Sequence, residues 1–531
     1  MEAETLGYRQ TPEAQPDEKV KRALRKVHEA GYQMQAEAFS LLQTLSQRQD
    51  PEQIVDRVLK KLSEAPPSFP FVSKAMVEEA STLEREKRAA TEGLREAEPV
   101  EMGKGIFRPE AKDVEARVEV VMDPTLQLAS KGSVEAFMEY FRSRFQQLKR
   151  LLRQRLDLRD AATIRESLEG RAGAKVKFVG MVAEKVSRGK RFFLRVDDLE
   201  AEAQVLVQDS NPMLVDKARN LLLDQVVGVV GVKTGNGLVV AEDLILPDVP
   251  QRRPGFSPEE VNAVLISDLH VGSKVFEGKL FQAFLGWLRG GGGGRREREL
   301  AGKVKYLLVA GDLVDGIGVY PQQEEELEIQ DVCRQYEAAA ALLEQVPDHI
   351  VIIVIPGNHD AVRKALPQPA LSKKYAEALY EKCGSQLVSL GNPAQVRLHG
   401  VEFLLHHGRS LEDVLVSMPN VSHRNPAKAM LGLLKGRHLS PVYGQRTPIA
   451  PETRDWMVVD RVPDVYHAGH IHVFDQTYYR GVRLINSGCW QKQTLYQQRL
   501  GLTPTPGVAA VVNLKTLALT VMDFSRMLGA P

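Results

Sequence analysis

Five short polar clusters in the second half of the chain limit its fold more than any other feature. Ser267-Asp268-Leu269-His270 follows the apolar run Val261–Ile266, and Gly311-Asp312 follows Val304–Val309. Gly357-Asn358-His359-Asp360 follows Ile350–Ile355, and His406-His407-Gly408 follows Val401–Leu405. The fifth, Gly469-His470-Ile471-His472, comes after the shorter run Val465–Ala468. Continuous apolar runs of this length read as strands buried on both faces. Open α/β sheets carry their ligands at the carboxyl ends of such strands. One Asp-x-His alone means little, because a strand-end Asp commonly caps a helix and a lone His is as often a hydrogen-bonded core residue. Asn358 after a glycine could simply supply a turn. These separate structural readings would all have to hold at once, which five clusters at five strand ends make hard to sustain.

Carboxylate, imidazole and one amide suit borderline or hard divalent ions such as Mn²⁺, Fe²⁺ or Zn²⁺. No thiolate enters the set, so a structural zinc site is disfavoured. A carboxylate between two ions can bridge them, and Asp312 is the natural candidate. Two ions roughly 3.5–4 Å apart can clamp a phosphoryl group and acidify a bridging water. The leaving alkoxide then needs a proton, a role that fits His359, while Asp360 is better suited to orienting neighbouring backbone.

The rest of the 531 residues divides into further modules. Residues 1–70 read as a small helical domain, with Val20, Leu24, Val27 and Tyr32, then Phe39, Leu41, Leu42 and Leu45, at a rough helical period. Asp50-Pro51 opens a further helix with Ile54, Val58 and Leu62 on its apolar face. Residues 71–130 read as a charged linker, partly helical near Met76–Arg95. Residues 131–250 read as a helix followed by a barrel. Ser133 caps the helix, and Phe137, Phe141, Phe145, Leu148 and Leu152 line one face. A basic series, Arg142, Arg144, Lys149, Arg150, Arg153, Arg155 and Arg159, is either phosphate-facing or simply solvated. From 172 to 248 the pattern switches to period two, giving five short strands with one helical piece, Met213–Leu222, between the third and fourth. That order matches an oligonucleotide/oligosaccharide-binding (OB-fold) barrel, although a module for protein contact fits it too. Residues 255–531 alternate strand and helix in the α/β manner, and Gly290–Gly294 reads as a flexible surface loop.

Charge is balanced, with 70 Lys plus Arg against 69 Asp plus Glu, so any nucleic-acid face has to be local. Cys333, Cys383 and Cys489 are odd in number and widely spaced, which favours reduced thiols over a disulfide framework. There is no apolar leader at the N-terminus and no stretch near ~18 apolar residues. A cytoplasmic, nucleoid-associated protein without membrane contact is expected.

The five clusters together resemble the calcineurin-like metallophosphoesterase signature, and so imply an α/β sandwich of that class for residues 255–531. By that resemblance Asp268, His270, Asp312 and His472 hold one metal. Asp312, Asn358, His407 and His470 hold the other, and His359 is the general acid. His407 is preferred to His406 because it directly precedes Gly408. The segments Gly311–Pro321, Gln323–Leu327, His407–Ser410, Leu434–Gly444 and Thr447–Glu452 narrow the likeness further. They resemble the small subunit of archaeal family D DNA polymerase, as does the order of modules. The resemblance implies a 3′→5′ exonuclease that removes misincorporated nucleotides, working with a large polymerising subunit. It implies two divalent ions, Mn²⁺ foremost with Fe²⁺, Zn²⁺ or Mg²⁺ as alternatives, and action on single-stranded or mismatched 3′ ends of DNA. Related subunits of eukaryotic replicative polymerases have lost metal ligands and act as scaffolds, whereas this chain keeps every expected ligand. Gln322 stands where the family pattern has glycine. Arg409 is a candidate phosphate contact, with structural pairing as the alternative. Two other readings compete: a non-catalytic scaffold, and a stand-alone phosphatase or cyclic-nucleotide phosphodiesterase using the same metal pair.

Overall fold

The computed structural model describes residues 18–30, 32–46, 50–64, 71–72, 76–77, 107–499 and 501–528. It forms two compact units, residues 1–105 and 106–531. In the first, helices α1 (Glu18–Glu29), α2 (Ala36–Leu45) and α3 (Pro51–Glu64) enclose Ala23, Val27, Leu42, Ile54, Val55, Val58 and Leu62. The Asp50 carboxylate accepts from the Glu52 N–H at 3.2 Å and so opens α3. Residues 78–95, where the sequence suggests partial helix, lie outside the described residues.

The second unit begins inside the stretch that reads as a linker. Val118–Met122 (β1) pairs antiparallel with Ala394–Leu398 at the edge of a sheet. Val114, Ala116 and Val118 pack on the core while Glu119 faces out to Arg397. An edge strand with one wet face carries too weak an apolar alternation to stand out among charges. Here the structure departs from the linker reading of 71–130.

Helix α4 (Val134–Arg153) starts where Ser133 Oγ accepts from the Ala136 N–H at 3.2 Å. Phe145, Leu148 and Leu152 are buried, whereas Phe137 and Phe141 lie against Tyr443 at ring distances of 5.3 and 5.2 Å. Arg144, which the sequence groups with the basic series, is fully buried: its Nε donates to Asp455 Oδ2 at 2.8 Å. A closed five-stranded barrel follows, made of β2 (Lys175–Arg188), β3 (Arg191–Asp197), β4 (Glu202–Val207), β5 (Val226–Lys233) and β6 (Val239–Ile245) in the order 2-3-4-6-5. Its one helix, α5 (Pro212–Asn220), sits between the third and fourth strands.

Residues 262–523, together with β1, build two six-stranded sheets face to face. The first contains parallel β7 (Asn262–Ile266), β8 (Val304–Ala310), β9 (Val351–Ile355) and β10 (Leu387–Ser389), then antiparallel β16 (Val508–Asn513) and β17 (Leu519–Asp523) on the far side of β7. In the second, β12 (Val401–Leu405), β13 (Val465–Ala468) and β15 (Val482–Asn486) run parallel. β11 (Ala394–Leu398) and β1 lie on one side, β14 (Asp475–Tyr479) on the other. Ala263, Leu265, Tyr306, Leu308 and Ile353 of the first sheet meet Val396, Phe403, Leu405, Val465 and Ile485 of the second. Alternate residues of both sheets point outward under helices: Val264, Leu307 and Ile352 against Gly278–Leu288 and Val332–Leu343, and Leu404, Tyr466 and Leu484 against Pro426–Gly436. The runs are apolar throughout because both faces are covered. The architecture is mixed α/β with several sheets and a barrel, and it turns the carboxyl ends of β7, β8, β9, β12 and β13 toward one edge of the sandwich. No helix of the described residues is long and apolar enough to cross a membrane.

Candidate metal centre

The five loops leave those strand ends in tight turns. Asp268, His270, Asp312, His470 and His472 all have positive φ, between 51° and 72°. Left-handed backbone at non-glycine residues is uncommon and clusters at functional sites, where surrounding structure has to hold it. Here backbone bonds do so: Asp268 N–H donates to Gly311 O at 3.0 Å, His270 N–H to Asp312 O at 3.1 Å, and Gly469 N–H to His407 O at 2.8 Å. The glycines permit the close approach. A Cβ at Gly357 would collide with Asp312 Oδ1, and one at Gly469 with Asp268 Oδ2.

The donors named from the sequence fall into two groups, beside a third cluster of His270, Asp315 and His359. The ligand atoms of Asp268, His270 and His472 lie within 4.8 Å of one another, as do those of Asp312, His407 and His470. His270 Nε2 faces His472 Nε2 at 3.1 Å, and His472 Nε2 is 3.4 Å from Asp268 Oδ1. In the other group His407 Nε2 lies 3.1 Å from Asn358 Oδ1. Asp312 Oδ2 reaches both, 3.3 Å from His407 Nε2 and 3.7 Å from His270 Nε2. The geometry thus brings all seven residues named as ligands into one place, with Asp312 between the groups. Whether this set suits metal ions is tested by its charge. Asp268 and Asp312 are fully buried. Burial works against ionising Asp312, but His407, His359 and His270 outweigh it and hold the carboxyl well below its ordinary range. Burial likewise disfavours a charged His407, yet Asp312 and Asp268 raise it to about 9. Buried carboxylates that pull protons onto a neighbouring imidazole are short of positive charge, which divalent cations supply. The residues fit divalent metal.

His359 stands beside the first group, its ring 4.6 Å from that of His270. Its Nδ1 lies 2.8 Å from Asp315 O, which leaves Nε2 as the nitrogen able to exchange a proton. Asp360 keeps away from the donors: its carboxylate accepts from Gly357 N–H at 2.9 Å and Tyr336 OH at 3.0 Å and ties the β8 and β9 loops together. His406 also turns aside, to Asn392 Oδ1 at 3.1 Å and Ser410 Oγ at 3.1 Å. Burial, ahead of repulsion from His407, pushes it down to about 3, so it is neutral. Arg409 lines the cavity, and among the described residues its side chain has no hydrogen bond or ion pair. Gln322 does adopt a glycine-like backbone, with φ +63°.

Sequence reasoning missed several residues. Asp315 Oδ1 lies 2.9 Å from His270 Nδ1 and 3.9 Å from His359 Nδ1, behind both rings. Its only sequence signal is a position three residues past Asp312. Lys364 donates to Asn358 O at 2.6 Å, and Glu412, His423 and Arg446 form part of the wall of the same cavity, about 440 Å³ in volume. Asn392 Oδ1 also accepts from the His407 N–H at 3.2 Å, and its Nδ2 donates to Gln368 Oε1 at 2.7 Å. Gln368 Nε2 in turn donates to Gly357 O at 3.0 Å. This buried pair clamps the His407 loop to the Asn358 loop. Asn392→Ala is expected to weaken Mn²⁺ affinity by about 10–100-fold, the usual cost of losing a residue that orients a ligand. Titration calorimetry checks it, and an unchanged affinity contradicts the clamp.

Comparison with known proteins gives a consistent picture. Residues 263–476 match the family of the B subunits of DNA polymerases alpha and epsilon. Curated relatives are DNA polymerase II small subunits. That of Archaeoglobus fulgidus is 41% identical over 432 residues, 80% of this chain and 86% of the relative. The Methanothermobacter thermautotrophicus protein is 36% identical over 482 residues, covering 91% of this chain and 95% of the relative. The Pyrococcus furiosus protein is 43% identical over 396 residues and 74% of this chain, but the match spans only 64% of its own length.

Proposed function

The chain belongs to the DNA polymerase II small subunits, the small subunits of archaeal family D DNA polymerase, and from that premise we propose that it is the 3′→5′ exonuclease of its polymerase. It removes misincorporated nucleotides from DNA made by a large polymerising subunit. The observation that carries this reading is the convergence of seven donor side chains into two groups that share Asp312. Asp268, His270, Asp312 and His472 would hold one divalent ion, and Asp312, Asn358, His407 and His470 the other, with Mn²⁺ put first by the family resemblance and Fe²⁺, Zn²⁺ or Mg²⁺ as alternatives. When bound, such a pair supplies Lewis-acid polarisation of the phosphodiester and a hydroxide-like water.

The chain's own residues do the rest. Asp360 and the Asn392–Gln368 pair fix the loops that carry the ligands. Asp315 holds the rings of His270 and His359 from behind. His359 Nε2 gives the departing 3′-oxygen its proton. Arg409, half-buried and with no side-chain hydrogen bond or ion pair among the described residues, and Lys364 present positive charge to the phosphate from the cavity wall. We propose that the closed five-stranded barrel is an OB-fold and a second DNA-contacting surface.

A duplex with a mismatched 3′ terminus, incubated with the full chain and Mn²⁺, tests the proposal. His359→Ala is expected to cut digestion by about 10²–10⁴-fold while metal content is unchanged, as loss of a general acid should. Equal digestion by wild type and variant rules out the assigned role. A chain that binds Mn²⁺ but spares DNA while cleaving nitrophenyl phosphate points to the phosphatase reading instead.

A further inference from the structure

We propose that Tyr496 is a base-stacking platform that makes the site select a nucleic-acid end whose terminal base is unpaired. The inference rests on the nuclease reading above and adds to it the group that recognises the base. Tyr496 lies on a short helix, Leu495–Arg499, in the loop that runs from β15 to β16. That loop is ordered by its own bonds. Thr494 N–H donates to Gln497 Oε1 at 3.1 Å and Gln497 N–H to Thr494 Oγ1 at 3.2 Å, a reciprocal cap. Gln493 Nε2 donates to Leu502 O at 2.7 Å, and Leu502 N–H to Gln497 O at 2.9 Å. The loop is also tied to the metal centre, because Gln497 Nε2 lies 2.9 Å from His472 Nδ1. Tyr496, next in sequence to Gln497, is therefore held at a fixed place beside the candidate ligands.

Yet Tyr496 is 62% exposed, and among the described residues its side chain has no hydrogen bond and no ring partner. One exposed tyrosine is ordinary on any surface. This one lines the cavity that also contains His270, Asp312, His359 and His472, together with Leu502, and its neighbour Leu495 is 58% exposed. The same cavity presents Lys364 and Arg409. Cationic side chains beside a bare aromatic ring are the two parts of a single-strand platform: the charges take the backbone, and the ring takes any base because every base has a π-face. A base inside a duplex is already stacked and paired, and has to leave the helix before it can use such a ring. A mismatched terminal base leaves most easily, so stacking on Tyr496 discriminates in its favour without reading sequence.

The test uses the full chain as wild type, Tyr496→Ala and Tyr496→Phe. In EDTA, a single strand ending in 2-aminopurine is expected to lose fluorescence on binding wild type and Tyr496→Phe, but not Tyr496→Ala. With Mn²⁺, Tyr496→Ala raises KM for that strand by about ten- to hundred-fold and leaves kcat nearly unchanged. On a strand ending in an abasic nucleotide, wild type and Tyr496→Ala have the same KM. A retained quench in Tyr496→Ala overturns the proposal, and so does a KM increase that persists on the abasic strand, which assigns Tyr496 a structural role. If wild type degrades no strand, the nuclease reading has failed, and the quench in EDTA still decides whether Tyr496 stacks.

Discussion

Asp312→Asn is expected to reduce exonuclease activity by at least about 10³-fold, the equivalent of several kcal/mol of lost transition-state stabilisation. One oxygen of this carboxylate lies 3.3 Å from His407 Nε2 and 3.7 Å from His270 Nε2, so it serves both donor groups. The other accepts the His359 N–H at 2.8 Å and thereby places the proposed proton donor. An amide keeps the shape but removes the charge, and it presents an N–H₂ where one of these partners needs an acceptor. Metal binding should fall from two ions per chain to one or none, with little change in thermal stability measured without metal. A variant that retains half of the wild-type rate would show that Asp312 does not link the two groups. Digestion of a labelled mismatched primer, run beside metal analysis of the same sample, decides it.

Asp455→Ala is expected to destabilise the second unit by about 3–5 kcal/mol, the usual consequence of stranding one member of a buried ion pair. Asp455 Oδ2 accepts from Arg144 Nε and lies 2.8 Å from His438 Nε2, while Oδ1 accepts the Met457 N–H at 2.9 Å. Arg144 and Asp455 are both fully buried, so the guanidinium left by the alanine has no water to replace its partner. The pair joins α4 to the segment that carries Leu439, whose carbonyl accepts from Ser410 Oγ close to His407. Loss of stability should therefore be accompanied by weaker metal binding. Burial opposes ionisation of Asp455, but His438 and Arg144 outweigh it and hold the carboxyl well below the ordinary range. A depressed folded-state value means that this stabilisation is complete above the ordinary carboxylate range, near 3.9, and is lost as pH falls below it. Asp455→Asn should show a shallower loss of stability in acid than wild type. Urea unfolding at neutral and acid pH measures both effects, and equal midpoints for wild type and Asp455→Ala would contradict them.

Much of the candidate site was legible because its residues coincide with local pattern. Asp268, Asp312, Asn358, His407 and His470 each stand one to three residues beyond an apolar run, and a strand covered on both faces writes such a run plainly. The preference for His407 over His406 also had a local cue in Gly408, and the structure sends His407 to Asp312 and His406 to Asn392. What stayed hidden depends on partners far away in sequence. Nothing in a basic helical run distinguishes Arg144, whose partner is 311 residues on. Nothing marks Val118–Met122 as a strand until Ala394–Leu398 is beside it. Asp315 looks like one more acidic loop residue until His270 and His359 turn their rings to it. Asn392 and Gln368 carry no charge and match no motif, although they hold two ligand loops together. Local sequence reports burial and periodicity well, and long-range polar pairing hardly at all.

One cavity is proposed to grip two cations through a shared Asp312. Anomalous diffraction from crystals of the full chain grown with Mn²⁺ tests it most directly. Two peaks are expected, roughly 3.5–4 Å apart, one beside Asp268, His270 and His472 and the other beside Asn358, His407 and His470, with Asp312 touching both. A single peak, or manganese bound only elsewhere on the surface, would contradict it.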